Sequence, residues 1–117
     1  MGTLLYMAPE LVLNEGHDKK VDIWACGIIL YNLLFQGKNP FYETGASKSV
    51  ISENINNKEI DFQKLECSIE AKDLLKRMLE KDPAKRYLAG DALNHPWVIG
   101  KSISERLLTA DELMSMF

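Results

Sequence analysis

From Val21 to Phe35 only Asp22, Gly27 and Asn32 interrupt a run of apolar residues. Wound as an α-helix the run covers about 22 Å, short of the roughly 30 Å hydrocarbon core of a bilayer. A helix that is apolar on nearly every side, yet too short to span, has to be wrapped by protein. With 117 residues the chain has length for one compact domain, so this helix is expected to be its centre. A net charge of −3 gives no electrostatic reason to expect a nucleic-acid or membrane partner. Met1 leads straight into Gly2 and Thr3 without a basic flank or an apolar run, which does not read as a signal peptide. Cys26 and Cys67 form neither a disulfide framework nor a metal-ligand cluster. Cys26, inside the apolar run, reads as a small buried hydrophobe. A reduced, cytoplasmic setting is expected.

The breakers Pro9, Gly16, Gly37 to Pro40, Gly45, Asp82-Pro83 and Pro96 divide the rest into short helical units. Pro9 to Leu13 reads as a short helix, since proline suits a first turn. Asp18 is expected to cap the long apolar helix, which runs to about Gln36, and Gly37 to end it. Ala46 to about Asn57 is a weaker helix with Val50, Ile51 and Ile55 inward, and Ile60 to Leu65 is irregular. Ser68 caps a helix whose stripe is Ala71, Leu74, Leu75, Met78 and Leu79, while Lys72, Asp73, Lys76, Arg77 and Glu80 face water. Ala89 to Asn94 forms a short helix ended by Pro96. In the tail, Ser102 with Glu105 and Thr109 with Glu112 are capping-box patterns, compatible with one helix or two. Lys101 and Arg106 are the only bases there, so a basic, calmodulin-binding helix is not expected. No segment alternates as a strand should, and the fold class is all-α.

Several short motifs follow one another in a fixed order. Gly2-Thr3-Leu4-Leu5-Tyr6-Met7-Ala8-Pro9-Glu10 opens the chain, and twelve residues after Glu10 comes Asp22-Ile23-Trp24-Ala25-Cys26-Gly27. Gly37-Lys38-Asn39-Pro40-Phe41, Asp82-Pro83-Ala84-Lys85-Arg86 and Ala92-Leu93-Asn94-His95-Pro96-Trp97 complete the series. Any one is weak; together, over about residues 1 to 98, they resemble the end of the activation segment and the C-terminal lobe of a protein kinase. Ala71-Lys72-Asp73-Leu74-Leu75 with Met78-Leu79 and His95-Pro96-Trp97 is similar to the calcium/calmodulin-dependent and calcium-dependent kinases. Residues 99 to 117 are then a C-terminal helical tail.

The resemblance implies a role for each matching position. Glu10 and Arg86 would form a buried salt bridge that anchors the activation segment, as a carboxylate and a guanidinium can pair bidentately. Asp22 would accept hydrogen bonds from the backbone of a catalytic loop; read from its residues alone it is an acid in a first helical turn, favoured by the helix dipole. Thr3 would support the catalytic residues and favour Ser or Thr as acceptor. Leu4 and Met7 would line the pocket for the substrate residue just after the phosphorylated one, although both also fit a core. Trp24 and Gly27 read as packing, and Gly27 in mid-helix, costing about 1 kcal/mol against Ala, points to a close contact. His95, with only His17 as a second histidine, reads as a helix-terminus residue and not a metal ligand.

Three departures stand out. Asn39 replaces a proline usual in related kinases, which is expected only to loosen a loop, and Leu88 replaces a capping Ser or Thr. Asn32 and Leu5 stand where arginine-directed kinases carry Glu. Phosphoryl transfer by kinases also needs a Gly-rich loop, a Lys–Glu pair, a catalytic-loop Asp and Asn, and a metal-binding Asp. None of these motifs occurs in the chain. The expectation is a part of a serine/threonine kinase that uses ATP and Mg²⁺ and acts on protein substrates, with this chain binding neither ATP nor metal. The alternative is a non-catalytic binding module derived from a truncated kinase.

Overall fold

The computed structural model describes residues 4–13 and 19–104, with side chains up to residue 100. Asp18, the expected cap, and the tail beyond 104 lie outside the described residues. Among the described residues six α-helices follow in order: α1 (Pro9–Val12), α2 (Lys20–Leu34), α3 (Lys48–Asn57), α4 (Ile69–Met78), α5 (Ala89–Leu93) and α6 (Pro96–Ser104). Single 3₁₀ turns lie at Leu4–Tyr6 and Phe62–Lys64, and no strand occurs among the described residues. The fold is all-α.

Helix α2 is the centre of the molecule. It buries Val21, Ile23, Trp24, Gly27, Ile28 and Leu30, and around them close Phe41, Ile51 and Ile55 from one side and Leu74, Leu75, Met78 and Leu79 from the other. The Trp24 and Phe41 rings stack 5.6 Å apart. Gly27 is where α2 and the end of α4 meet: a Cβ there would lie 2.8 Å from Leu79 Cδ2 and 3.1 Å from Met78 Cβ. The close contact expected from its mid-helix position is therefore with α4. The C-terminus of α2 closes with Gly37 N–H donating to the Asn32 carbonyl at 2.7 Å. Gln36 as well as Gly37 takes a left-handed conformation (φ 56° and 80°), so the stop extends one residue further back than Gly37.

Local capping chemistry sets the other boundaries. Ser47 and Ser68 accept from the backbone N–H of Val50 and Ala71. Leu88 offers no acceptor to α5, but the Asp91 carboxylate accepts from the Leu88 N–H at 2.9 Å, half of a capping box. The α4 stripe is buried as its periodicity requires.

Three expectations are corrected. Val50 is exposed, because the inward face of α3 is fixed by Ile51 and Ile55, one turn apart. Cys26 is exposed and not a core residue. Pro96 does not merely end the preceding helix: it is the first residue of α6, a position where its missing N–H costs nothing. His95 precedes it, and its Nδ1 accepts from the Trp97 N–H at 3.1 Å, so an imidazole caps α6. With Nδ1 accepting, Nε2 carries the proton and donates to Asp73 on α4 at 2.7 Å.

Candidate substrate segment and its anchor

A buried polar node ties α1 to the body of the molecule. Arg86, with its side chain fully buried, pairs bidentately with Glu10: Nη1 to Oε2 at 2.7 Å and Nη2 to Oε1 at 2.8 Å. The remaining donors go to backbone carbonyls, Nε to Glu80 at 2.7 Å, Nη1 to Lys20 at 2.9 Å and Nη2 to Lys81 at 3.3 Å. A guanidinium has five N–H groups, and all five are used. Its carbon lies 5.2 Å from the Trp24 ring centroid, a cation–π contact. One side chain thus joins α1, the start of α2 and the segment after α4. Nearby, Lys81 points inward as well: Nζ donates to the Ile55 carbonyl at 2.6 Å and sits 4.4 Å from the Phe41 centroid. Desolvation by burial pushes its ammonium pKa down.

Upstream of Glu10, the 3₁₀ turn Leu4–Tyr6 rests on α2 and α3. Leu4 and Leu5 pack against the edge of the core, Met7 is half-buried, and Ala8 is fully buried. The two apolar residues Leu4 and Met7 are thus neither deep core nor free surface. Thr3 lies outside the described residues. The Leu5 carbonyl accepts from Asn39 Nδ2 at 3.0 Å, while Asn39 Oδ1 accepts from the Phe41 N–H at 2.8 Å. The expectation that Asn39 only loosens a loop left out these two ties: its side-chain amide donates and accepts at once, where a proline side chain can do neither.

Asp22 is not brought to this node. It lies in the first turn of α2 and is exposed, and Cys26 and Leu33 are exposed below it, with Ile29 half-buried between them. The spacing puts all four on one helical face. Cys26 has its thiol pKa pushed up, first by desolvation and then by the Asp22 carboxylate.

Comparison with known proteins decides the family. The protein kinase domain model matches residues 1–98. The chain belongs to the protein kinase domain family. Its relatives are serine/threonine kinases. Serine/threonine-protein kinase ULK3 of Mus musculus is 43% identical over 99 residues, covering 83% of this chain and 20% of that protein. Calcium-dependent protein kinase 29 of Arabidopsis thaliana is 36% identical over 119 residues, covering 99% of this chain and 22% of its own. Calcium/calmodulin-dependent protein kinase cmkA of Emericella nidulans is 38% identical over 107 residues, covering 90% of this chain and 25% of its own. The chain thus spans a fifth to a quarter of the length of these kinases. Kinases use ATP with Mg²⁺. Among the described residues of this kinase chain no group of three or more His, Cys, Asp or Glu is placed to hold a metal ion, and no helix is long and apolar enough to cross a membrane. No step of phosphoryl transfer is assigned to the described side chains.

Sequence reading missed Asn54 and Lys81, and singled out Asn39 only as a replaced proline. Asn54 gave no signal beyond residue type. Lys81, next to the Asp82-Pro83 turn, looked like any solvated base.

Proposed function

We propose that this chain supplies the substrate-binding and scaffolding part of a serine/threonine protein kinase, which transfers the γ-phosphate of ATP to Ser or Thr of proteins. The observation that carries the reading is the Glu10–Arg86 node, a buried, fully satisfied ion pair that fixes the backbone just after Leu4–Met7. A rigid anchor suits a segment that must hold a peptide against a reacting centre, where small misplacements cost rate. In this role the half-buried Leu4 and Met7 receive an apolar residue following the acceptor, and Thr3 favours a hydroxyl on Ser or Thr. Asn32 and Leu5 bring no acid that would select arginine. Residues 1–98 are the kinase part, and 99–117 are a tail that begins within α6.

The exposed face of α2, from Asp22 through Cys26 to Leu33, supports a second element of the proposal: catalytic and nucleotide-binding parts of the same protein cover it. Asp22 then accepts backbone hydrogen bonds from that cover. The test is a phosphate-transfer assay of the full-length protein, with Mg²⁺-ATP and peptides bearing Ser, Thr or Tyr, beside calorimetric titration of Mg²⁺-ATP into the 117-residue chain. Expected are transfer to Ser and Thr peptides by the former and no binding by the latter. Nucleotide binding by the short chain, or transfer confined to Tyr, would overturn the proposal.

A further inference from the structure

We infer that Asn39 is a positioning residue for the substrate segment, holding the Leu4–Met7 backbone in register with the core through its side-chain amide. The inference rests on the reading of Leu4 and Met7 as the substrate pocket.

The geometry is a short relay of hydrogen bonds. Asn39 Nδ2 donates to the Leu5 carbonyl at 3.0 Å, across 34 positions of sequence. Its Oδ1 accepts from the Phe41 N–H at 2.8 Å, the Asx-turn arrangement that locks an asparagine side chain to its own backbone. The Phe41 carbonyl in turn accepts from Asn54 Nδ2 of α3 at 3.1 Å. Phe41 itself is immobilised, 1% exposed and stacked on Trp24. The amide that reaches Leu5 is therefore held at both neighbouring points by rigid structure.

Leu5 lies in a single 3₁₀ turn, where the Leu4 carbonyl takes the turn's own bond from the Met7 N–H and the Leu5 carbonyl accepts from Asn39. Within that turn the Met7 N–H donates to Leu4, so Leu4 and Met7 move together, and the bond to Leu5 fixes the peptide between them. Asn39 touches neither pocket residue through its side-chain bonds; it acts on them through the backbone. Glu10–Arg86 holds the far end of the segment, and Asn39 holds the near end.

The two ends of the amide can be separated by substitution. Asn39→Asp keeps the acceptor for Phe41 N–H and removes the donor to Leu5. In the full-length protein, Asn39→Asp is expected to raise KM for a Ser peptide with Leu after the acceptor by about fivefold, the worth of one ordinary hydrogen bond. The wild-type preference for Leu over Gln at that place should narrow by a similar factor. The kcat and KM for ATP should stay close to wild type, and the thermal midpoint should fall less than in Asn39→Ala, because the turn at Phe41 survives. Asn39→Ala, which loses both bonds, should add a fall in thermal midpoint. An unchanged peptide KM in Asn39→Asp overturns the inference. So does a loss shared by kcat, both KM values and the midpoint, which marks a general structural role. If the wild-type protein transfers no phosphate, the kinase reading fails, and amide exchange over residues 4–8 decides the positioning. Exchange that is faster in Asn39→Asp over residues 4–8 but not in the core helices upholds it, and equal exchange overturns it.

Discussion

Arg86 and Asp22 are both charged residues on the central helix's surroundings, and they are treated in opposite ways. Arg86 is fully buried, with each of its donors given to Glu10 or to a backbone carbonyl and its plane over Trp24. Asp22 begins an exposed stripe that continues through Cys26 to Leu33, which is 58% exposed. Burying a charge is tolerable only when its partners are present. On the Arg86 side the chain brings all its own partners, so that side is self-sufficient. On the Asp22 side Cys26 and Leu33 face outward beside an acid, and this is the face the proposal covers with the rest of a kinase.

The largest expected effect comes from opening the satisfied side. Arg86→Ala strands the Glu10 carboxylate and frees three carbonyls, and should cost about 3–5 kcal/mol, read as a fall in the unfolding midpoint of the full-length protein in denaturant. A shift below 1 °C in a thermal melt, with activity kept, would show that the pair is not the anchor argued. Gly27→Ala comes next. Its methyl would meet Leu79 and the rigid Met78 Cβ, so overpacking of about 1–3 kcal/mol is expected, and unchanged stability would mean that α2 and α4 are not in contact as described.

The open side should respond differently in different settings. Leu33→Gln replaces an exposed side chain, so in the 117-residue chain its effect should stay within about 0.5 kcal/mol. In the full-length protein the same change should cost clearly more, because the position is then covered. Equal effects in both would remove the contrast between the two sides.

The smallest effect is a pH dependence. The Asp73 carboxyl is held below its usual pKa range, first by the hydrogen bond from His95 and then by Arg77. A carboxyl whose folded pKa is lowered contributes stability that is present above its unfolded pKa of about 3.9 and lost as pH falls through the folded value. Asp73 is partly exposed, so solvent screens much of the gain. Asp73→Asn should slightly flatten the loss of stability below pH 4 and shift the His95 side-chain ¹⁵N resonances. Superimposable acid titrations of the two proteins would rule out the contribution.

Much of this contrast was legible in the sequence, for reasons that differ by residue. Ser68 and the Ala71–Leu79 stripe were readable because a cap and a 3.6-residue period are local properties. The meeting of Glu10 and Arg86 was readable only through motif resemblance, since nothing local joins residues 76 positions apart. Cys26 was misread because an apolar run does not say which of its faces will find cover. Val50 was misread because adjacent residues on a helix point about 100° apart. Asn39 and His95 were missed as polar ties because their partners, Leu5 and Asp73, are distant in sequence and visible only in the fold.

Cys26 gives the most direct test that the open face of α2 is built to be covered by the rest of a kinase. With Cys67 replaced by Ser, the rate of Cys26 alkylation by a maleimide under native conditions can be compared between the 117-residue chain and the full-length protein. Burial and Asp22 push the thiol pKa up in the short chain, so the rates are compared across pH to separate thiolate fraction from access. The expected result is ready modification in the short chain and at least tenfold protection in the full-length protein. Equal rates would contradict the claim.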